Sequence, residues 1–188
     1  MNRFQKQNVR LLPSKNKGFT LIELSIAIVA ALVLIGIGLY FYNNVKNETG
    51  AMNATNGVTA ISSAVKALYP NPSYTGLSSA LLIQSGKAPQ NMVSGTGASA
   101  TLVNNWGGTV TVAPANYNGG TANAMAITFP SVPRSACNSV FSAAGANFQK
   151  IEINNTAVKD DSVPTAATAA TVAAACDTEN NSMVFTAT

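Results

Sequence analysis

Few side chains in this chain could take part in catalysis or bind a cofactor. The 188 residues include no histidine, two cysteines and seven scattered carboxylates. A Ser/His or Cys/His nucleophile system needs an imidazole beside the nucleophile, so neither can be built here. The glycines cluster with Asn and Thr, as in turns, rather than in a Walker or Rossmann pattern. The sequence therefore predicts a protein that is not an enzyme and that binds no cofactor.

The acidic residues near the end of the chain are the one candidate for metal binding. Asp160 and Asp161 form one pair, and Asp177 and Glu179 form another. Carboxylate oxygens are the ligands that Ca²⁺ prefers, but the spacing does not match an EF-hand loop. A solvated acidic loop is the favoured interpretation, so no metal site is predicted.

Glu23 is the carboxylate whose position is hardest to explain. It is the only charge in an apolar run over residues 19–42. A charged side chain costs roughly 2.5–3.5 kcal/mol at the centre of a bilayer, and less near the end of the helix, where Glu23 lies. Two explanations stay open: the carboxylate snorkels to the nearby interface, or it has a buried partner.

The apolar run that carries Glu23 is long enough to span a membrane. A helix of some 23 residues is about 35 Å long, and the hydrocarbon core of a bilayer is roughly 30 Å thick. A secretory signal has a shorter apolar stretch followed by a small-residue cleavage site, whereas this run is longer and ends in Tyr40, Phe41 and Tyr42. The run is therefore predicted to stay in the protein.

Charge is distributed unevenly around this run. Five of the eleven basic residues lie within residues 1–18, which contain no acid. The rest of the chain has six basic and seven acidic residues, so its net charge is near −1 and nucleic-acid binding is not expected. Positive charges hold their end of a first spanning helix in the cytoplasm, so the bulk of the chain is predicted to lie outside.

Cys137 and Cys176 are the only cysteines, and both lie in the exported part. An even number of cysteines in an oxidising compartment predicts a disulfide. Closing a loop of about 40 residues would stabilise the fold by roughly 4 kcal/mol in the chain-entropy model. A metal pair is disfavoured, because there is no histidine and the two cysteines lie far apart in sequence.

The exported part is predicted to fold as an α+β domain. The helix continues to Tyr69 and Pro70, and beyond the membrane it carries an apolar stripe made of Ala51, Ala54, Val58, Ile61, Val65 and Leu68. Short helices are predicted over residues 77–84, 135–145 and 166–175, with Ser135 as an N-cap. Strands are predicted over residues 109–112, 124–129, 150–153 and 183–185, and turns at 104–108 and 154–155. The long helix should then pack on a mostly antiparallel sheet.

The segment around Glu23 resembles the processing site of type IV prepilins and of type II secretion pseudopilins. Residues 17–23 read Lys-Gly-Phe-Thr-Leu-Ile-Glu. The match combines a basic leader, a glycine, a hydrophobic first residue, a glutamate fifth after the cut and a long apolar run. The resemblance implies that a prepilin peptidase cuts between Gly18 and Phe19, and that Phe19 is then N-methylated.

The later part of the chain resembles the type IVb pilins of thin conjugative pili and enteric colonisation pili. The segments that carry this resemblance are residues 105–112, 127–129, 132–133 ahead of Cys137, and 173–176. The resemblance implies the type IV pilin fold in three parts. These are a cleaved leader over residues 1–18, a transmembrane and assembly half of the long helix over 19–45, and an exported pilin domain over 46–188.

The resemblance also implies a function. The chain would be the major subunit of a type IVb pilus, stored in the bacterial inner membrane and then polymerised by the inner-membrane assembly machinery. The product would be an extracellular filament for adhesion or conjugation. Glu23 would pair with the new amino group of Phe19 on a neighbouring subunit. The alternatives are a minor pilin, a type II secretion pseudopilin, or an uncleaved membrane-anchored binding protein.

Overall fold

The computed structural model of the chain describes residues 19–71, 73–163 and 167–188. The predicted leader, Gly18 included, lies outside the described residues. The chain divides into two compact units, one ending at Tyr42 and the other running from Asn43 to Thr188. The predicted boundary between residues 45 and 46 stays a prediction.

The long helix α1 (Leu21–Leu68) agrees with the prediction from sequence. It ends just before Pro70, whose ring cannot continue a helix. Up to Tyr42 its large apolar side chains are exposed, from 49% at Ile37 to 87% at Leu21. Among the described residues, α1 is the one helix long and apolar enough to cross a membrane.

The second unit, Asn43 to Thr188, contains the part predicted to be exported and is called the exported unit. It is built on one antiparallel sheet of seven strands. In chain order these are β1 (Val93–Ser94), β2 (Thr101–Val103), β3 (Thr109–Ala115), β4 (Ala124–Pro133), β5 (Lys150–Ile153), β6 (Thr156–Asp160) and β7 (Asn180–Ala187). Their order across the sheet is β1-β2-β3-β4-β7-β5-β6. The last strand of the chain therefore lies in the middle of the sheet, between β4 and β5. This arrangement confirms the predicted α+β class.

Three shorter helices complete the unit: α2 (Ser79–Gln84), α3 (Arg134–Ala144) and α4 (Ala169–Ala175). Ser78 caps α2 by accepting a hydrogen bond from the N–H of Leu81 at 3.1 Å. Thr168 and Thr171 form a reciprocal capping box at the start of α4. These local bonds explain why such short segments are helical.

The core lies between the second half of α1 and one face of the sheet. The predicted stripe is confirmed, since its residues from Ala51 to Val65 are buried and Leu68 packs against them. Across the sheet, Val112, Ile127, Phe185 and Ile151 lie side by side in register and are buried. Phe185 also packs edge-on against the ring of Phe129.

Several predicted boundaries were wrong. Strand β4 was predicted to stop at Pro130, but an irregularity in register between Phe129 and Val132 carries it on to Pro133. Ser135 is not the N-cap of α3, because the helix begins one residue earlier and Pro133 precedes it without a side-chain cap. Helix α4 begins at Ala169, and residues 164–166 lie outside the described part of the chain.

The open sides of the sheet are short or blocked. Strand β1 has two residues, and β2 pairs with only the first two residues of β3. Further along that side of β3, the N–H of Val112 donates to Oγ of Ser79 at 2.8 Å. Pro114, two residues on, has no N–H to offer. At the opposite edge, β6 carries Lys159 and Asp160.

Candidate assembly site and disulfide

The first turn of α1 places Glu23 beside the helix N-terminus. Thr20 is the N-cap: its Oγ1 accepts a hydrogen bond from the N–H of Glu23 at 3.3 Å, and its C=O accepts one from Leu24 at 3.1 Å. Glu23 is therefore the third helical residue, where glutamate has the capping-box spacing and the helix dipole favours a negative charge. Sequence reasoning missed this cap, although the Thr-x-x-Glu spacing was its signal.

Of the two predicted processing residues, only Phe19 lies in the described part of the chain, at its start. Phe19 is 82% exposed, and Gly18 lies outside the described residues. Within residues 19–71, 73–163 and 167–188, the carboxylate of Glu23 makes no ion pair. Cleavage after Gly18, methylation of Phe19 and pairing of Glu23 therefore stay predictions.

The predicted disulfide between Cys137 and Cys176 is confirmed. Cys137 lies in α3 and Cys176 caps the end of α4, with their Cα atoms 5.8 Å apart and both side chains buried. Beside it, the guanidinium of Arg134 meets the carboxylate of Asp177 at 2.6 Å. Both of these side chains are largely exposed, so the ion pair adds little stability compared with the disulfide.

The acidic residues considered for calcium are spread over different local contacts. Asp160 accepts hydrogen bonds from Oγ and N–H of Ser162, which hold its pKa below the ordinary value, while partial burial acts the opposite way. Asp161 lies 3.5 Å from Nζ of Lys159, and Asp177 faces Arg134. Among the described residues no three potential metal ligands converge.

Lys159 ties the sheet to the end of α3. Its Nζ donates to the C=O of Gly145 at 2.9 Å and to the C=O of Phe148 at 2.6 Å. A cation at the C-terminal end of a helix meets carbonyls that have no partner within the helix. Sequence reasoning missed this role, because nothing local in the sequence links β6 with α3.

Trp106, the only tryptophan of the chain, packs on α1 at Gly50. A Cβ at Gly50 would lie 2.8 Å from Cζ2 of the indole. The turn that carries Trp106 is fixed by the buried side chain of Asn104, whose Oδ1 accepts from Trp106 and Gly108 and whose Nδ2 donates to Pro130. Nε1 of Trp106 is buried and has no hydrogen-bond partner among the described residues. The absence of a side chain at Gly50 therefore leaves the space that the indole ring occupies, and this space is called the notch.

Two family models match the chain. The model described as "PilS N terminal" matches residues 48–188, and the model described as "Prokaryotic N-terminal methylation motif" matches residues 13–39. The first covers the exported unit, and the second covers the predicted cleavage site and most of the apolar run.

The chain also resembles known proteins. It is 32% identical over 126 residues to the "Major structural subunit of bundle-forming pilus" of Escherichia coli O127:H6, an alignment that covers 66% of this chain. The chain spans 63% of the length of that relative and of its counterpart in Escherichia coli O111:H-.

Two solved structures of pilins are similar. TcpA, a type IV pilin from Vibrio cholerae El Tor biotype, superposes with a TM-score of 0.57 at 14% identity over 74% of this chain and 99% of that one. A type IVb pilin from Salmonella typhi is 30% identical, with a TM-score of 0.49 over 76% of this chain and 95% of that one.

The Vibrio structure shows the shared fold, and the PilS match extends through nearly all of the exported unit. Together with the methylation motif over residues 13–39, they confirm the family that the prepilin-like residues predicted. The chain therefore belongs to the PilS family and is a type IV pilin.

Proposed function

We propose that this pilin is the major structural subunit of a type IVb pilus. A prepilin peptidase cuts the membrane-anchored precursor between Gly18 and Phe19, and Phe19 is N-methylated. The inner-membrane assembly machinery then polymerises the mature chain into an extracellular filament for adhesion or conjugation. The name of the Escherichia coli relatives, a major structural subunit of a pilus, supports this role. The role is structural, and the chain itself catalyses no reaction.

The exposed apolar half of α1 is the observation that carries this proposal. Its side chains find no cover within their own unit, where even the least exposed large one, Ile37, is 49% accessible. Such a helix is stable in lipid, and outside lipid it must be buried against other apolar helices. Copies of the same helix supply that cover, so the filament core is a bundle of α1 segments.

Glu23 gives the bundle its register. Packed among apolar helices, an unpaired carboxylate would be strongly unfavourable, so a cationic partner is needed there. Cleavage after Gly18 creates an amino group at Phe19, and the same group on a neighbouring subunit is a cation of the right kind. Because that cation exists only after processing, pairing with Glu23 restricts assembly to mature subunits.

Charge removal at Glu23 tests the pairing. Glu23→Gln is the sharper variant, because glutamine keeps the shape of the side chain and the capping-box spacing after Thr20 while losing the charge. Glu48→Gln, at an exposed glutamate of the same helix, is the matched control. We expect Glu23→Ala and Glu23→Gln to insert, to be cleaved and to form the disulfide, but to yield no filament in shear fractions. Glu48→Gln should yield normal filament.

A normal filament yield from both Glu23 variants, with normal membrane pools, would refute the pairing. Processing has its own test, which is the intact mass of the membrane form. We expect a chain that begins at Phe19 and carries one added methyl group. Retention of Met1 in cells that hold the matching peptidase, or normal processing of Gly18→Ala, would contradict the proposed cleavage.

A further inference from the structure

Near the disulfide, a set of side-chain hydrogen bonds joins the same region of the exported unit as the bond between Cys137 and Cys176. Asn154, in the turn between β5 and β6, reaches across to the last residue of α4 and to the start of β7. Its Nδ2 donates to the C=O of Ala175 at 3.0 Å and to Oδ1 of Asn181 at 2.8 Å. Ala175 directly precedes Cys176, so these bonds fix the backbone beside one of the two cysteines.

Asn181 carries the connection to the other cysteine. Its side chain is 1% exposed, and its Nδ2 donates to the C=O of Val132 at 3.1 Å and to the C=O of Thr178 at 2.8 Å. Val132 lies in β4, just before the helix that carries Cys137. Oγ1 of Thr178 adds a bond of 2.7 Å to Oδ1 of Asn181. The hydrogen-bond network thus spans the same gap as the disulfide.

We propose that Asn154, Thr178 and Asn181, the asparagine network, hold Cys137 and Cys176 within bonding distance before they are joined. The folded, reduced domain is then the form that is oxidised. Buried amides such as that of Asn181 must keep their partners, so the network is retained whether or not the sulfur atoms are bonded. Its residues are positioning residues for disulfide formation.

A disulfide compound supplies the oxidising equivalents, and oxidised glutathione serves as that compound in vitro. The thiolate of one cysteine attacks the glutathione disulfide, which forms a mixed disulfide and releases one glutathione thiolate. The thiolate of the second cysteine then displaces the other glutathione. One protein disulfide is formed, two electrons pass to glutathione, and the two cysteine protons go to solvent or glutathione. The second step depends on how often the two cysteines meet, which is what the network controls.

The turn offers a matched pair of variants. Asn154 and Asn155 both have positive φ, 51° and 65°, which glycine adopts without strain. Asn154→Gly removes the network amide, and Asn155→Gly removes a neighbouring side chain that takes no part in the network. Thr178→Val, outside the turn, removes one network hydroxyl with little change of shape.

The measurement is the equilibrium of the full-length chain, in detergent micelles, with mixtures of reduced and oxidised glutathione. Alkylation traps the free thiols, and the effective molarity of the cysteine pair follows from the fraction oxidised. We expect about a tenfold fall for Asn154→Gly, a smaller fall for Thr178→Val, and a change within about twofold for Asn155→Gly. In concentrated urea all four proteins should give the same value, because only loop length then matters.

Values for Asn154→Gly and Thr178→Val within about twofold of wild type would overturn the proposal. An equal fall in Asn155→Gly and Asn154→Gly would do so too, since it would assign the effect to the turn. Circular dichroism of each reduced variant reports whether the domain is folded. If Asn154→Gly proves unfolded when reduced, Thr178→Val decides: a fall supports the network, and no fall refutes it.

Discussion

Two glycines of α1 offer a direct test of how the exported unit packs on its helix. A Cβ at Gly50 would lie 2.8 Å from Cζ2 and 3.0 Å from Nε1 of Trp106. A Cβ at Gly57 would lie 2.7 Å from Sδ of Met92. Both contacts are closer than carbon atoms normally approach, so replacing either glycine by alanine forces its neighbour to move.

The two neighbours differ in how easily they move. The indole of Trp106 is rigid, and Asn104 fixes the turn that carries it, so overpacking at Gly50 should cost about 1–3 kcal/mol. Met92 has three rotatable bonds and can shift its sulfur at small cost. In both positions alanine gains about 1 kcal/mol of helix propensity over glycine. Gly50→Ala should therefore destabilise the unit by about 1 kcal/mol, whereas Gly57→Ala should be neutral or stabilising by up to about 1 kcal/mol.

Urea unfolding of the full chain in micelles, followed by circular dichroism, measures the difference. A double-mutant cycle with Trp106→Phe isolates the contact, because the smaller ring should remove the penalty of Gly50→Ala and leave only its propensity gain. The coupling free energy should equal that penalty, about 1–3 kcal/mol. If Gly50→Ala proves as stabilising as Gly57→Ala, or if the penalty survives in the Trp106→Phe background, the notch does not exist as described.

Three further outcomes are expected. Cys137→Ser removes the closure of a loop with a sequence separation of 39, worth roughly 4 kcal/mol in the chain-entropy model, so immunoblots should show a lower steady-state level of subunit. Lys159→Met leaves two carbonyls without their cation and should lower the free energy of unfolding in urea by about 1–3 kcal/mol. Ser162→Ala should raise the pKa of Asp160 in an NMR titration. Because the folded-state pKa of Asp160 is depressed, its small contribution to stability is present above about pH 4 and lost as the pH falls further.

The elements predicted well from sequence are those whose signal lies in their own residues. Helix α1 has an unbroken apolar run, a regular buried stripe and Pro70 just beyond its end. The turn at Asn154 and Asn155 was predicted from residues that tolerate positive φ, and both adopt it. The prepilin-like residues from Gly18 to Glu23 identified the family for a similar reason, since their order along the chain is itself the motif.

The elements that were missed depend on partners far away in sequence. Strands β1 and β2 are two and three residues long and show no alternation of their own, so they exist because β3 pairs with β2. Strand β6 was not predicted, because two of its five residues are charged and obscure the alternation typical of a strand. Pro130 signalled an end to β4, but pairing with β7 resumes at Val132. The notch at Gly50 was invisible for the same reason, because the ring that fills it comes from a distant turn.

The blocked sides of the sheet bear on which kind of polymer this protein can form. A subunit with a nearly neutral exported part and exposed sheet edges risks strand-to-strand addition and growth into cross-β fibres. Beyond β2, Ser79 already occupies one N–H of β3, and Pro114 interrupts the row two residues later. Charged Lys159 and Asp160 disfavour addition at β6. With strand addition disfavoured at both edges, the exposed apolar half of α1 is the surface left for the self-association proposed above.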